Sequence, residues 1–166
     1  MSLFKLIADR LIAISERRSP DFLIGGTERP YMRRWFLIPR NRFFNIYLHN
    51  IRRSDDDRAL HDHPWINPSI LLRGCYIEVT PRGQKLRWAG DFVLRGPRAR
   101  HSLQLLPPIT QATFNHYHPG QDETWTLFIT GPRVRAWGFH CPQGFVRWQD
   151  FTAPGAEGEI GKGCDQ

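Results

Sequence analysis

The sequence predicts one all-β domain preceded by a single amphipathic helix. Its 166 residues are 40% hydrophobic and 13% aromatic, enough to bury one sizeable core. Its 14 glycines and 13 prolines divide the apolar residues into short runs, as turns divide the strands of a sandwich or barrel. Several of those runs alternate apolar and polar residues with the period of a half-buried strand.

Leu3, Phe4, Leu6, Ile7, Leu11, Ile12 and Ile14 recur at helical spacing, so residues 3 to 16 form an amphipathic helix that stops before Ser19-Pro20. Residues 1–20 are therefore expected to be a helical unit packed on the domain that follows. After a loop around Gly25-Gly26, the main body is expected over 27–152. It begins with strands in "YMRRWFLIP" and "RFFNIYLHNIRR", separated by Pro39-Arg40-Asn41. In the second, Phe44, Ile46 and Leu48 share one face, and Asn45, Tyr47 and His49 the other. His49 stands alone there and reads as a hydrogen-bonded or exposed histidine.

A polar turn at 54–57 precedes short extended segments at 59–63, 68–73, 75–80, 85–88, 91–94 and 101–106. A polar loop holding His116-Tyr117-His118 reads as surface, and two more strands follow in "TWTLFIT" and "VRAWGFHC". Residues 153–166 carry almost no large apolar side chains and are expected to be a disordered tail.

The formal charge is +7, carried almost wholly by arginine; Lys5, Lys85 and Lys162 are the only lysines. The arginines are scattered and form no recognition motif, so a nucleic-acid-associated structural role is the least favoured reading and a small anionic partner the favoured one. Three cysteines, Cys75, Cys141 and Cys164, lack paired spacing, which argues against a disulfide framework and for a reducing compartment. Charges interrupt the N-terminal apolar run, no stretch is long enough to span a bilayer, and a cytoplasmic location without membrane contact is expected.

The chemistry concentrates at "LHDHPW". In an extended segment residues i and i+2 face the same side, so His61 and His63 project into one space and Asp62 points away, as a solvated or turn residue. Two imidazoles converging there can hold a metal. Asn67 and Gly74 follow at set intervals, and a further histidine, His101, comes 11 residues after Gly90.

This pattern resembles the cupin superfamily, whose first motif carries His-x-His, a Glu and a Gly, and whose second carries a Gly and a third His. Here His61, His63, Gly74, Gly90 and His101 keep register, while Asp55 stands at the opening Gly, Asn67 at the Glu, Gly96 at the Pro, Arg98 at the inner Gly and Leu105 at the Asn. The resemblance covers about residues 40–150. It implies a single-domain cupin, a double-stranded β-helix or jelly-roll barrel of the small RmlC-like type, with His61, His63 and His101 as metal ligands. It also implies a homodimer paired through edge strands.

With Asn67 in place of Glu, three neutral histidines leave a divalent ion with its full charge, which favours an anionic ligand. Three-histidine iron centres of this kind occur in thiol dioxygenases, which the "HDH" stretch resembles. The resemblance therefore implies a non-haem Fe(II) dioxygenase-type oxidoreductase, with Mn, Ni or Zn as alternative ions. Asn67 is a weak ligand or orients a bound water, and Ser69 and Leu71 would line the cavity. Arg133, Arg135 and Trp137 alternate with Val134, Ala136 and Gly138, so they wall the pocket and bind substrate if that face points inward. His140 is an additional acid, base or ligand.

Two readings stay open beside this one. The missing Glu suits a non-catalytic metal or small-ligand binding module. A metal-free isomerase or epimerase would use His63 as base with Tyr76 or Tyr117 as acid.

Overall fold

The computed structural model describes residues 2–55, 59–106, 123–152 and 161–165. Helix α1 (Leu3–Ser15) is capped by Ser2, whose hydroxyl accepts a hydrogen bond from the Lys5 amide. The strands are β1 (Phe22–Ile24), β2 (Met32–Phe36), β3 (Asn45–Ile51), β4 (Leu60–His61), β5 (Asn67–Arg73), β6 (Cys75–Thr80), β7 (Gly83–Trp88), β8 (Phe92–Arg95), β9 (Ser102–Leu105), β10 (Thr124–Thr130), β11 (Gly138–Cys141) and β12 (Gly144–Arg147). A one-turn helix, Trp148–Phe151, follows β12. The fold is all-β with an N-terminal helix, as the composition predicts. Among the described residues no helix is long and apolar enough to cross a membrane.

A six-stranded antiparallel sheet runs β1-β2-β3-β10-β5-β8. Two three-stranded sheets, β12-β11-β4 and β7-β6-β9, form the other wall. A single antiparallel bridge joins these two, His61 to His101. The two residues exchange both backbone hydrogen bonds at 2.9 Å, so their side chains stand side by side.

The two faces of the large sheet have different neighbours. On one, Trp35, Leu48, Leu72 and Trp125 pack with Ala8 and Ile12 of α1, and the two tryptophan rings stack at 5.4 Å. Arg73 also holds Asp9 of α1 at 2.7 Å. The helix packs through Ala8, Ile12 and Ser15, at i, i+4 and i+7, while Leu3 (72% exposed), Ile7 and Ile14 stay in solvent, so its packed stripe is narrower than the apolar pattern implies. On the other face Met32, Ile51 and Leu71 meet Tyr76 and Leu103 from the opposite wall. Gly74 turns the chain between β5 and β6 at φ +82°; a Cβ there would sit 2.9 Å from the Glu123 carbonyl oxygen.

Three expectations need correcting. "VRAWGFHC" is a strand only from Gly138; before it Val134 bonds the Pro64 carbonyl and Arg135 turns to Asp62, so the strand alternation does not apply there. Cys141 and Cys164 form a disulfide across 23 residues, so the cysteine count does not argue for a reducing compartment; Cys75 is the free, buried thiol. Residues 153–160 and 166 of the expected disordered tail lie outside the described residues. Residues 161–165 are described, and Gly161 and Gly163 donate to the Phe151 carbonyl beside the buried Cys164. The strands β1 and β12 and the one-turn helix were not foreseen from their short, irregular apolar patterns.

Candidate metal centre

The bridge between β4 and β9 fixes two of the three histidines, and the third follows from the chain direction. His63 lies two residues beyond His61 and returns to the same side, which brings all three imidazoles to one place. Ring centroids are 4.6 Å apart for His61 and His101, 5.1 Å for His61 and His63, and 5.2 Å for His63 and His101. One ring nitrogen from each lies within 4.8 Å of the others.

The donor set fits a cation. His63 Nε2 and His101 Nε2 face each other at 3.0 Å, and two ligands about 2.1 Å from one ion at right angles are themselves about 3.0 Å apart. Burial, then the neighbouring His61 and the Arg95 charge, hold both imidazoles well below the ordinary histidine value. They are therefore neutral at physiological pH, the form that ligates a metal.

Carboxylates stand behind the cluster. Asp55 Oδ2 is 3.7 Å from His61 Nδ1 and accepts the Leu103 amide at 2.6 Å. Glu78 Oε1 is 3.7 Å from His101 Nδ1, and Glu78 is itself clasped by Arg95 at 2.6 Å and Arg87 at 2.7 Å. At 3.7 Å neither carboxylate is within hydrogen-bond distance, and His101 Nδ1 has no hydrogen-bond partner, so the two act on the imidazoles as nearby charges only.

The histidines open onto a cavity of about 660 Å3 between the walls. Its lining is mainly aromatic and aliphatic, with Phe36, Phe128, Trp137 and Phe139 prominent, and includes Ser69, Tyr76, Arg34 and His49.

Comparison with solved structures decides the architecture. The chain superimposes on a cupin 2 conserved barrel domain protein from Rhodopseudomonas palustris with a TM-score of 0.52, over 74% of this chain and 78% of that one, at 12% identity. The polyketide cyclase RemF from Streptomyces resistomycificus matches with a TM-score of 0.50, over 72% and 77% of the two chains, at 14% identity. This chain has the cupin fold. No family model and no curated protein matches its sequence.

Within this cupin barrel the other expected residues separate. Ser69 and Trp137 line the cavity, Trp137 with its ring centroid 6.3 Å from that of His63 and stacked on Trp148. Asn67 is fully buried but not on the cavity wall; its Nδ2 reaches the Trp65 carbonyl at 3.4 Å and its Oδ1 has no hydrogen-bond partner. Leu71 belongs to the apolar core instead of the lining. Arg133 is exposed, and Arg135 binds Asp62 at 2.6 Å and the Pro97 carbonyl at 2.9 Å, so neither lines the pocket. His140 is likewise committed, with Nε2 at 3.0 Å from Asp62. His116, Tyr117 and His118 lie outside the described residues.

Asp62 reverses its expected role. It does point away from the histidines, but it is 1% exposed and gathers Arg135, His140 and the Gly138 amide, tying β4 to β11. Gly138 has to be glycine there, because a Cβ would run into the Val146 backbone on β12. Of the two alternatives expected for His49, hydrogen-bonded or exposed, the structure shows the first. His49 is buried in the cavity wall and accepts a hydrogen bond from Arg34 Nε at 2.9 Å. The alternation of β3 puts His49 opposite Leu48, but only the pairing of β2 with β3 brings Arg34 to it.

Proposed function

We propose that this chain is a metalloenzyme of the three-histidine type, acting on a small anionic substrate as an Fe(II) oxygenase. The observation that carries the proposal is the convergence of His61, His63 and His101, with two facing Nε2 atoms, on a largely apolar cavity. These three side chains would hold the ion. An iron(II) ion so bound would supply Lewis acidity and one-electron chemistry toward dioxygen and a coordinated substrate.

The protein's own contributions follow from its residues. Three neutral imidazoles add no negative charge, so the centre stays cationic and attracts an anion. Asp55 and Glu78 place negative charge 3.7 Å from Nδ1 of His61 and of His101, which would favour a bound cation. Phe128, Trp137 and Phe139 exclude water from the space beside them and leave polar contacts to the ligand strong.

The test is elemental analysis of protein loaded anaerobically with Fe(II) and desalted, followed by oxygen-uptake assays against small organic acids. The proposal expects one iron per chain, lost in His63→Ala and His101→Ala, and substrate-dependent oxygen consumption that falls with it. Iron bound without any such consumption would favour a second reading, a non-catalytic metal-dependent ligand binder. That reading draws on Asn67, which puts a buried amide where the cupin motif has a ligating carboxylate.

A further inference from the structure

The cavity has a second polar pole that the metal centre does not use. Arg34 on β2, His49 on β3 and Thr126 on β10 form one cross-strand row, and all three line the cavity. His49 is 3% exposed, with its ring between Tyr47 at 5.9 Å and Phe128 at 5.0 Å. Its Nε2 accepts from Arg34 Nε, so this nitrogen carries no proton, and burial holds the imidazole well below the ordinary histidine value. His49 therefore fixes the guanidinium without neutralising it.

Arg34 keeps its charge and lacks a counter-ion. Burial lowers it to about 10, so it remains protonated at neutral pH. Among the described residues no carboxylate pairs with it, and its other close neighbour is the Tyr47 ring face at 4.8 Å. The contrast with other arginines of the barrel is chemical. Arg87 and Arg95 share the Glu78 carboxylate, Arg135 pairs with Asp62, and Arg73 shares Asp9 with Lys5. A part-buried guanidinium without an acid loses some of its hydration at a cost to the fold, and a ligand anion would offset that cost.

We infer that Arg34, braced by His49, is the anchor for the carboxylate of a hydrophobic monocarboxylic acid whose body fills the aromatic part of the cavity. With Nε occupied by His49, the two Nη groups remain to form a fork with one carboxylate. The one guanidinium of this row, beside a neutral imidazole, matches a monoanion better than a phosphate dianion; of the other arginines that line the cavity, Arg95 is held by Glu78 and Arg40 is exposed. Ile24, Phe36, Ile51 and Phe128 supply apolar walls around this pole, and about 660 Å3 admits a body the size of an aromatic ring with a short chain. The inference deepens the proposed function by naming its substrate class and rests on the same cavity being the substrate chamber, but it does not require the ion.

The experiment uses the full chain stripped of metal. Binding of benzoate, phenylacetate and 3-phenylpropanoate is measured by calorimetry, beside the matching primary amides and phenyl phosphate. At least one carboxylate should bind about tenfold more tightly than its amide and than phenyl phosphate, and Arg34→Gln should remove that preference. Arg34→Lys should recover part of it, Arg40→Gln should leave it nearly unchanged, and circular dichroism checks that each variant is folded. His63→Ala, which destroys the metal site, should keep the carboxylate preference, so failure of the metal proposal and failure of this one are distinguishable. No carboxylate binding at millimolar concentration, equal binding of acid and amide, tighter binding of phenyl phosphate, or an unchanged preference in folded Arg34→Gln would each overturn the inference.

Discussion

Leu48 and His49 are consecutive on β3 and almost equally hidden, at 0% and 3% exposure, yet they face opposite environments. Leu48 packs among Trp35, Trp125 and Ile12, where the large sheet is sealed by α1. His49 faces the cavity, where the same strands present Arg34, His49, Ser69 and Thr126. Equal burial thus serves two ends. The helix-covered face stabilises the fold by removing apolar area from water, while the cavity face holds polar groups whose desolvation a ligand can offset.

Truncating the sealed face should have the largest effect. Trp125→Ala removes one ring of the stacked pair and one member of the cluster that α1 packs on, and should cost about 3–5 kcal/mol in urea unfolding. Acid should separate the faces next. His49 is held below its ordinary value of 6.5, so the unfolded chain takes up a proton there that the native chain does not. Its share of stability is complete above pH 6.5 and declines as pH falls, by about 1.4 kcal/mol per unit until the native imidazole titrates. His49→Leu should flatten the pH profile of metal-free protein by that slope, whereas Leu48→Val should lower the profile without changing its shape. The smallest effect belongs to Arg34→Met. Removing an unpaired charge stabilises, leaving His49 Nε2 without a donor destabilises, and the midpoint of unfolding should move by less than about 1 kcal/mol. A large loss would mean that Arg34 is part of the scaffold, and the contrast between the faces would fail.

The same contrast explains what the sequence made legible. The helix and β3 could be read from periodicity, because α1 buries one stripe and β3 turns Ile46 and Leu48 to one face and Tyr47 and His49 to the other, a pattern written in a single segment. The histidine cluster was legible because His61 and His63 are local and His101 keeps the spacing of a known motif. Partnerships between distant segments were not. Asp62 looks solvated in "LHDHPW" until Arg135 and His140, more than 70 residues later, fold against it. Arg34 and His49 are 15 residues apart and meet only through strand register, and Arg133 and Arg135 seemed to alternate because the claim of Asp62 on that segment was invisible. The Cys141–Cys164 bridge had no spacing signature for the same reason.

Metal-edge X-ray absorption on the loaded full chain tests the central claim most directly. The account predicts a first shell containing three imidazole nitrogens at about 2.0–2.3 Å, reduced when His63 or His101 is replaced by alanine. A shell of water oxygens alone, or one indifferent to both substitutions, would contradict it.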